Sequence, residues 1–272
     1  MALEFSDKKP VIAPKATPLR SVVEEMLKRE RYHAVLVDEE DKAWGVLSIR
    51  DVANAIFIVG EESVELLEAG SLGKVLENTS YTYASHPAIT APSNISLREA
   101  VSIMNTRNIG CLPLVDEAGR VVGVLDEKFI VKAVPETCGK NPCEIASWNP
   151  LCIEEGEEIL VAAGLMLSAG VRRLVVLGSK TRMTSLNLVI KHLMKPDNLR
   201  IIMEGGRKPL EEPVSVISME PWVVDCTYNL KEVASIISFD PLGAVLVRDG
   251  DRIGVLTERD LLRALAEELG SE

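Results

Sequence analysis

The feature that most constrains the fold of this chain is a spacing of apolar residues that recurs four times. In each copy the apolar residues stand at relative positions 0, 3, 4 and 7, which is the spacing of one face of an amphipathic helix. The copies begin at Leu19, Leu97, Ile159 and Leu230. Because four helices share one spacing, we predict that the chain is built from four structural repeats, which are called units 1 to 4 below.

Short stretches rich in Val, Ile and Leu flank each of these helices and predict β-strands. One stretch precedes each helix, and another follows it at residues 35–37, 113–115, 174–177 and 244–247. A polar turn then leads to a third strand, which is clear in units 1, 2 and 4, and to a second helix. The pair Asp249-Gly250 is typical of a tight hairpin turn. The predicted unit is therefore β-α-β-β-α, and the predicted fold class is α/β.

The spacing between units predicts how they are grouped. The second helix of each unit is expected to open at Ser48, Asp126, Thr184 and Thr257, which are separated by a long, a short and a long interval. This alternation predicts two tandem modules, at residues 1–134 and 143–272. The units are expected at about residues 10–57 and 84–133 in the first module, and at about 144–194 and 214–268 in the second.

Two inserts separate the units within each module. They lie at residues 59–83 and 196–213 and contain Gly, Glu and Pro. We expect them to be loops, because these residues are common in surface connections. The two units of a module should then pack through their strand-rich faces.

The end of each unit carries the most informative motif. Unit 1 ends its third strand with Gly-Val-Leu-Ser-Ile-Arg-Asp at 45–51, and unit 4 with Gly-Val-Leu-Thr-Glu-Arg-Asp at 254–260. Here the chain resembles the cystathionine β-synthase (CBS) domain, whose closing motif is glycine, two apolar residues, Ser or Thr, two residues and Asp. Its layout of four repeats is similar to that of the γ subunits of AMP-activated protein kinase and of stand-alone four-CBS proteins. The resemblance implies that the two tandem modules form a pseudo-symmetric disc.

The closing motif admits two interpretations. Ser or Thr followed three residues later by an acid is close to a capping box, which would make Ser48 with Asp51 and Thr257 with Asp260 purely structural. The resemblance instead implies that the Asp accepts hydrogen bonds from the ribose hydroxyls of a nucleotide. The intervening Arg50 and Arg259 could pair with its phosphate or could simply be solvated.

The other units are degenerate at the acidic position. Phe129 in unit 2 cannot accept a ribose hydrogen bond, whereas Asn187, three residues after Thr184 in unit 3, could accept one. We therefore predict at most three adenosine ligands per chain, and one or two as the expected number. The resemblance adds candidates around the base and the phosphate, which are Ala84, Ile89, Ala146, Asn149, Leu151, Arg172 and Arg173.

Composition limits the class of function. The net charge of −11 argues against nucleic acid as the main partner. The longest apolar stretch, residues 159–171, is too short to span a membrane. Five cysteines at irregular spacing indicate free thiols in a reducing compartment, so we expect a cytoplasmic protein without a metal site. The chain has no glutamine and many glutamates, which favours a thermophilic source.

These observations predict a regulatory protein that binds AMP, ADP or ATP reversibly and has no catalytic residues and no cofactor. No nucleophile–base pair can be assembled from the motifs. The output of such a protein would pass through an unidentified effector protein or a homodimer. Two alternatives stay open. One is an interaction scaffold in which the motifs only cap helices. The other is a CBS sensor of S-adenosylmethionine, methylthioadenosine or a cyclic dinucleotide.

Overall fold

The computed structural model describes residues 1–60 and 64–270, and it repeats one order of elements four times. Unit 1 comprises β1 (Val11–Pro14), α1 (Leu19–Lys28), β2 (His33–Val37), β3 (Ala43–Ser48) and α2 (Ile49–Ile56), followed by β4 (Phe57–Val59), β5 (Val64–Leu66) and α3 (Ala69–Glu77). Unit 2 comprises β6 (Ala91–Pro92), α4 (Leu97–Thr106), β7 (Cys111–Val115), β8 (Val121–Asp126) and α5 (Glu127–Ile130), followed by α6 (Pro142–Ile145) and β9 (Ser147–Trp148).

The second half repeats this order. Unit 3 comprises β10 (Cys152–Glu154), α7 (Ile159–Ser168), β11 (Arg173–Leu177), β12 (Arg182–Ser185) and α8 (Leu186–Leu193), followed by α9 (Pro196–Met203) and α10 (Lys208–Glu211). Unit 4 comprises β13 (Val223–Asp225), α11 (Leu230–Phe239), β14 (Ala244–Asp249), β15 (Arg252–Thr257) and α12 (Glu258–Gly270). Short 3₁₀ helices lie at Ala2–Phe5, Ser80–Thr82, Val131–Ala133 and Val214–Ile217. None of the helices in the described ranges is long and apolar enough to cross a lipid bilayer.

Each unit forms its own small sheet with a common register. The first strand runs parallel to the second, and the second runs antiparallel to the third. In all four units the first residue of the second strand pairs with the residue that precedes the closing helix. These pairs are His33 with Ser48, Cys111 with Asp126, Arg173 with Ser185, and Ala244 with Thr257. The shared register brings the start of every closing helix beside the start of a strand.

The packing of the units produces a disc. The apolar helix faces of units 1 and 3 share one core, which includes Leu19 and Ile159, and those of units 2 and 4 share a second core, which includes Met104 and Leu230. Smaller apolar clusters join the sheets of units 1 and 2 and the sheets of units 3 and 4. Each unit therefore meets one neighbour through its sheet and another through its helices.

The expectation that the two inserts are loops is wrong. Residues 69–77 form α3, and residues 196–211 contain α9 and α10. Leu72 and Leu76 of α3 are buried, as are Leu199 and Ile202 of α9, and the two helices contact each other beside the core of units 1 and 3. Apolar residues three or four positions apart gave these segments a buried helical face despite their glycines. Residues 61–63 of the first insert and 271–272 of the second module lie outside the described residues.

The expectation of five free thiols is wrong for two cysteines. Cys143, at the start of α6, forms a disulfide with Cys226, which follows β13. Cys111, Cys138 and Cys152 are free. The bonded cysteines are 83 residues apart and carry no spacing signal, since only the tertiary fold brings α6 next to the end of β13.

Candidate functional site

A cavity of about 740 Å³ lies where the four units meet. Its wall contains the first residues of α2 and α12, the segments that precede β6 and β10, and the turns that lead into β7 and β11. Its volume falls within the range of small-molecule sites. Ten of the residues predicted from the sequence line it, namely Ser48, Arg50, Asp51, Ile89, Leu151, Arg172, Arg173, Thr257, Arg259 and Asp260.

Five predicted residues do not line this cavity. Ala84 and Ala146 lie beside Gly45 and Gly254, and Asn149 occupies a turn with φ of 58°. Thr184 and Asn187 are buried in unit 3. Asn187 borders a separate small cavity, together with Tyr32 and Leu242, on another side of Arg172.

The predicted motif of unit 3 is wrong by one residue. Helix α8 begins at Leu186, and the hydroxyl of Ser185 caps it by accepting a hydrogen bond from the backbone N–H of Leu188 at 3.3 Å. Thr184 is instead paired within the sheet, opposite Leu174. The position that matches Asp51 is therefore Leu188, which cannot accept a hydrogen bond from ribose. Of the four units, only units 1 and 4 have a carboxylate at this position.

The carboxylates of Asp51 and Asp260 do cap their helices. Oδ2 of Asp51 accepts hydrogen bonds from the backbone N–H and the hydroxyl of Ser48, both at 2.7 Å. Oδ2 of Asp260 accepts the equivalent bonds from Thr257 at 2.9 and 2.8 Å. The Oδ1 atoms take no part in these caps, and both residues line the cavity. Because an ionised carboxylate accepts several hydrogen bonds, each Asp can cap its helix and still bind a ligand hydroxyl.

The two arginines of the closing motifs reach across the disc. Nη2 of Arg50 in unit 1 donates to the carbonyl of Gly170 in unit 3 at 2.8 Å. Nη1 of Arg259 in unit 4 donates to Oδ1 of Asn108 in unit 2 at 3.0 Å. Each guanidinium thus lies on the cavity wall beside an acidic residue of its own helix and a turn of another unit.

Three arginines and two glutamates form what we call the central ion cluster, which consists of Arg172, Arg173, Arg259, Glu127 and Glu258. Both glutamates are fully buried. Glu127 accepts a hydrogen bond from Arg172 through Oε1, and its Oε2 lies 2.8 Å from Nη2 of Arg259. Oε2 of Glu258 accepts from Nη2 of Arg173 at 2.5 Å and lies 3.9 Å from Nη2 of Arg172. The cluster joins units 2, 3 and 4 beneath the cavity.

Burial and neighbouring charges shift the pKa values of several ionisable groups at and behind the cavity wall. Burial raises the pKa of Glu127, but the guanidiniums of Arg172 and Arg259 outweigh this effect and lower the pKa to about 2. Burial raises the pKa of Glu258 above its ordinary value, against the opposing effect of Arg173. Burial also lowers the pKa of Arg50, and repulsion from Arg172 adds to that effect. Arg50 and Arg172 therefore repel each other at the cavity wall.

Sequence reasoning missed the acidic half of this cluster. Glu127 and Glu258 occupy the first position of the closing helix in units 2 and 4, where units 1 and 3 have Ile49 and Leu186. A glutamate at an otherwise apolar position was the available signal. His33 was also missed. Its Nδ1 lies 2.7 Å from Oδ2 of Asp126, and it lines the same cavity.

Comparison with known proteins agrees with the fold and the closing motif. The family model for the CBS domain matches residues 2–58, 81–136 and 214–267, which correspond to units 1, 2 and 4. These ranges cover more than half of the chain, so the protein belongs to the CBS domain family.

Particular relatives resemble the chain over nearly its whole length. An uncharacterized 33.4 kDa protein in the ribosomal RNA operon of Thermofilum pendens is 28% identical over 96% of this chain and 89% of its own. The crystal structure of protein MJ1225 of Methanocaldococcus jannaschii, proposed to be an archaeal homologue of the AMP-activated protein kinase γ subunit, matches with a TM-score of 0.81. That match has 19% identity and covers 97% of this chain and 99% of that one.

A third relative is similar only locally. L-aspartate semialdehyde sulfurtransferase of Methanocaldococcus jannaschii is 41% identical over 75 residues, which are 28% of this chain and 14% of that protein. The similarity is confined to that segment.

Proposed function

We propose that this protein is a regulatory sensor that reversibly binds an adenosine-containing ligand, with AMP, ADP or ATP as the expected ligands. The observation that carries the proposal is the convergence of Asp51 and Asp260, each with an oxygen outside its helix cap, on one cavity whose wall also contains Arg50, Arg172 and Arg259.

The chemistry of the wall suits the parts of a nucleotide. A carboxylate that only accepts hydrogen bonds can bind two neighbouring ribose hydroxyls. The guanidiniums match the geometry of phosphate oxygens. Ile89 and Leu151, from the segments before β6 and β10, are partly exposed apolar groups on the same wall and can cover a base.

The same contacts favour binding without catalysis. The hydroxyls of Ser48 and Thr257 donate to Asp51 and Asp260, so they are engaged in capping rather than activated as nucleophiles. The expected action is therefore reversible occupancy, which an effector protein or a second copy of the chain would read.

Calorimetric titration and thermal melting of the wild-type protein with AMP, ADP and ATP test the proposal. We expect one or two ligands per chain and a rise in melting temperature with ligand concentration. Parallel titrations with S-adenosylmethionine, methylthioadenosine and a cyclic dinucleotide decide among the adenosyl ligands. A titration with no heat and no thermal shift for every ligand would contradict the proposal and leave the interaction scaffold.

The variants Asp51→Ala and Asp260→Ala test the role of the two carboxylates. Each should weaken binding at its own site by about 10- to 150-fold, which corresponds to the loss of hydrogen bonds to a charged acceptor worth about 1.5–3 kcal/mol.

Glu99→Ala is the matched control, because Glu99 makes the same capping box. Its Oε2 accepts from the backbone N–H and hydroxyl of Ser96 at 3.2 and 2.7 Å, but neither residue lines the cavity. All three variants should lose similar stability, whereas only the aspartate variants should lose affinity. Equal affinities in the three variants would show that the aspartates act only as caps.

A further inference from the structure

Glu127 connects two arginines that belong to the other module. Its two carboxylate oxygens contact Arg172 of unit 3 and Arg259 of unit 4, while Glu127 itself belongs to unit 2. The side chain of Glu127 is fully buried, whereas those of Arg172 and Arg259 are 18% and 20% exposed and line the cavity. Each of these guanidiniums therefore lies between the buried carboxylate and the space available to a ligand.

A guanidinium in this position can pair with either of two anions, the carboxylate of Glu127 or a phosphate in the cavity. It carries one positive charge and five N–H donors, and part of this capacity is already used by Glu127. A phosphate in the cavity would draw on the same charges and would also be repelled by the carboxylate behind them. The protein therefore contains, behind the arginines of its own cavity wall, the kind of anion that its ligand would bring.

We propose that Glu127 is an internal counter-ion that competes with the phosphate of a bound ligand for Arg172 and Arg259, and that this competition limits how strongly the cavity favours phosphorylated ligands. Glu127 does not line the cavity and acts through the two arginines, so it is a positioning residue. The inference rests on the proposed function only in placing the ligand in this cavity.

Removal of the carboxylate has two opposite effects on phosphate binding. It frees the arginines to move, and it abolishes a repulsion that is worth on the order of 100-fold in affinity for charges about 6 Å apart at an effective dielectric constant of about 20. The movement of both arginines is limited in the variant. Arg259 still donates its hydrogen bond to Asn108 at 3.0 Å, and Arg172 still forms its ion pair with Glu258 at 3.9 Å. The loss of repulsion should therefore dominate, with a net gain in phosphate affinity of about tenfold.

The experiment compares Glu127→Gln with the wild-type full chain by calorimetry, using inorganic pyrophosphate, AMP and adenosine as separate probes. We expect pyrophosphate to bind the variant about tenfold more tightly. AMP affinity should rise by a similar factor, and adenosine affinity should change little. A purely structural effect of the substitution would change AMP and adenosine equally. Unchanged or weakened pyrophosphate binding would overturn the inference.

The probes separate this inference from the proposed function. If pyrophosphate binds the variant more tightly while neither AMP nor adenosine binds either protein, the counter-ion role stands and the adenosine site fails. If AMP binds both proteins but pyrophosphate binds them with equal affinity, the adenosine site stands and the counter-ion role of Glu127 fails. Should Glu127→Gln fail to fold, Glu127→Asp keeps the charge and withdraws the carboxylate by one methylene. It should raise pyrophosphate affinity by a smaller factor, about twofold, and no increase would overturn the inference.

Discussion

Replacement of Gly243 by alanine should damage the protein far more than its backbone conformation alone would suggest. Gly243 has φ of 59° and precedes β14, beside the start of α12. A Cβ atom there would lie 1.9 Å from Oε1 of Glu258 and 2.6 Å from Nη2 of Arg173. Both side chains are buried and bonded to each other, so neither can swing aside without breaking the central ion cluster.

The expected cost has two parts that can be measured separately. Placing alanine at a positive φ costs about 1–2 kcal/mol, partly offset by the reduced entropy of the unfolded chain. Separating one partner from a buried ion pair costs about 3–5 kcal/mol more. Gly250 supplies the matched control, because its φ is 58° and a Cβ there would meet nothing within 4 Å. Gly250→Ala should therefore show the first cost alone.

Thermal melting of the two variants gives the comparison directly. A difference of about 3 kcal/mol corresponds to a melting temperature about 6–12 °C lower for Gly243→Ala than for Gly250→Ala, since each kcal/mol shifts a protein of this size by about 2–4 °C. If the two variants melted within about 2 °C of each other, the space around Gly243 would be less restricted than its contacts indicate, and the reasoning would fail.

Two further predictions concern stability. Ser185→Ala should cost about 1 kcal/mol because it removes the cap of α8, whereas Thr184→Val should stabilise the fold slightly because the buried Thr184 hydroxyl has no hydrogen-bond partner. Urea unfolding measures both changes in the free energy of unfolding. If Thr184→Val destabilised the protein and Ser185→Ala did not, Thr184 would be the cap of α8. The pKa of Glu127 is lowered from 4.5 to about 2, so its contribution to the free energy of unfolding should be complete above about pH 4.5 and lost as the pH falls towards 2. Glu127→Gln should flatten this acid limb in unfolding curves measured between pH 7 and 2, and an unchanged limb would contradict the assignment.

The repeat could be predicted from the sequence because apolar spacing directly encodes which helix face is buried. Val22, Val23 and Met26 of α1 are all buried, as are the equivalent residues of the other first helices. The register of unit 3 could not be predicted in the same way. Thr184 and Ser185 are adjacent residues that can both cap a helix, and only strand pairing decides between them.

The candidate site was predictable where one short motif contains its residues, as for Asp51 and Asp260. The central ion cluster was not, because Glu127 and its arginine partners come from three units and meet only in the folded disc. Gly243 shows the same limit. The buried carboxylate beside it comes from a helix that begins later in the chain.

The disulfide between Cys143 and Cys226 closes a covalent ring around unit 3. The ring spans 83 residues and contains every element from β9 to β13. Closing a ring of this length removes chain entropy from the unfolded state that is worth about 4–5 kcal/mol. Unit 3 has no carboxylate at the position that matches Asp51 and Asp260, yet it supplies Arg172 and Arg173 to the central ion cluster. The covalent ring therefore encloses the unit that supplies two of the three arginines of the cluster, and it ends just after the first strand of unit 4, which supplies Glu258.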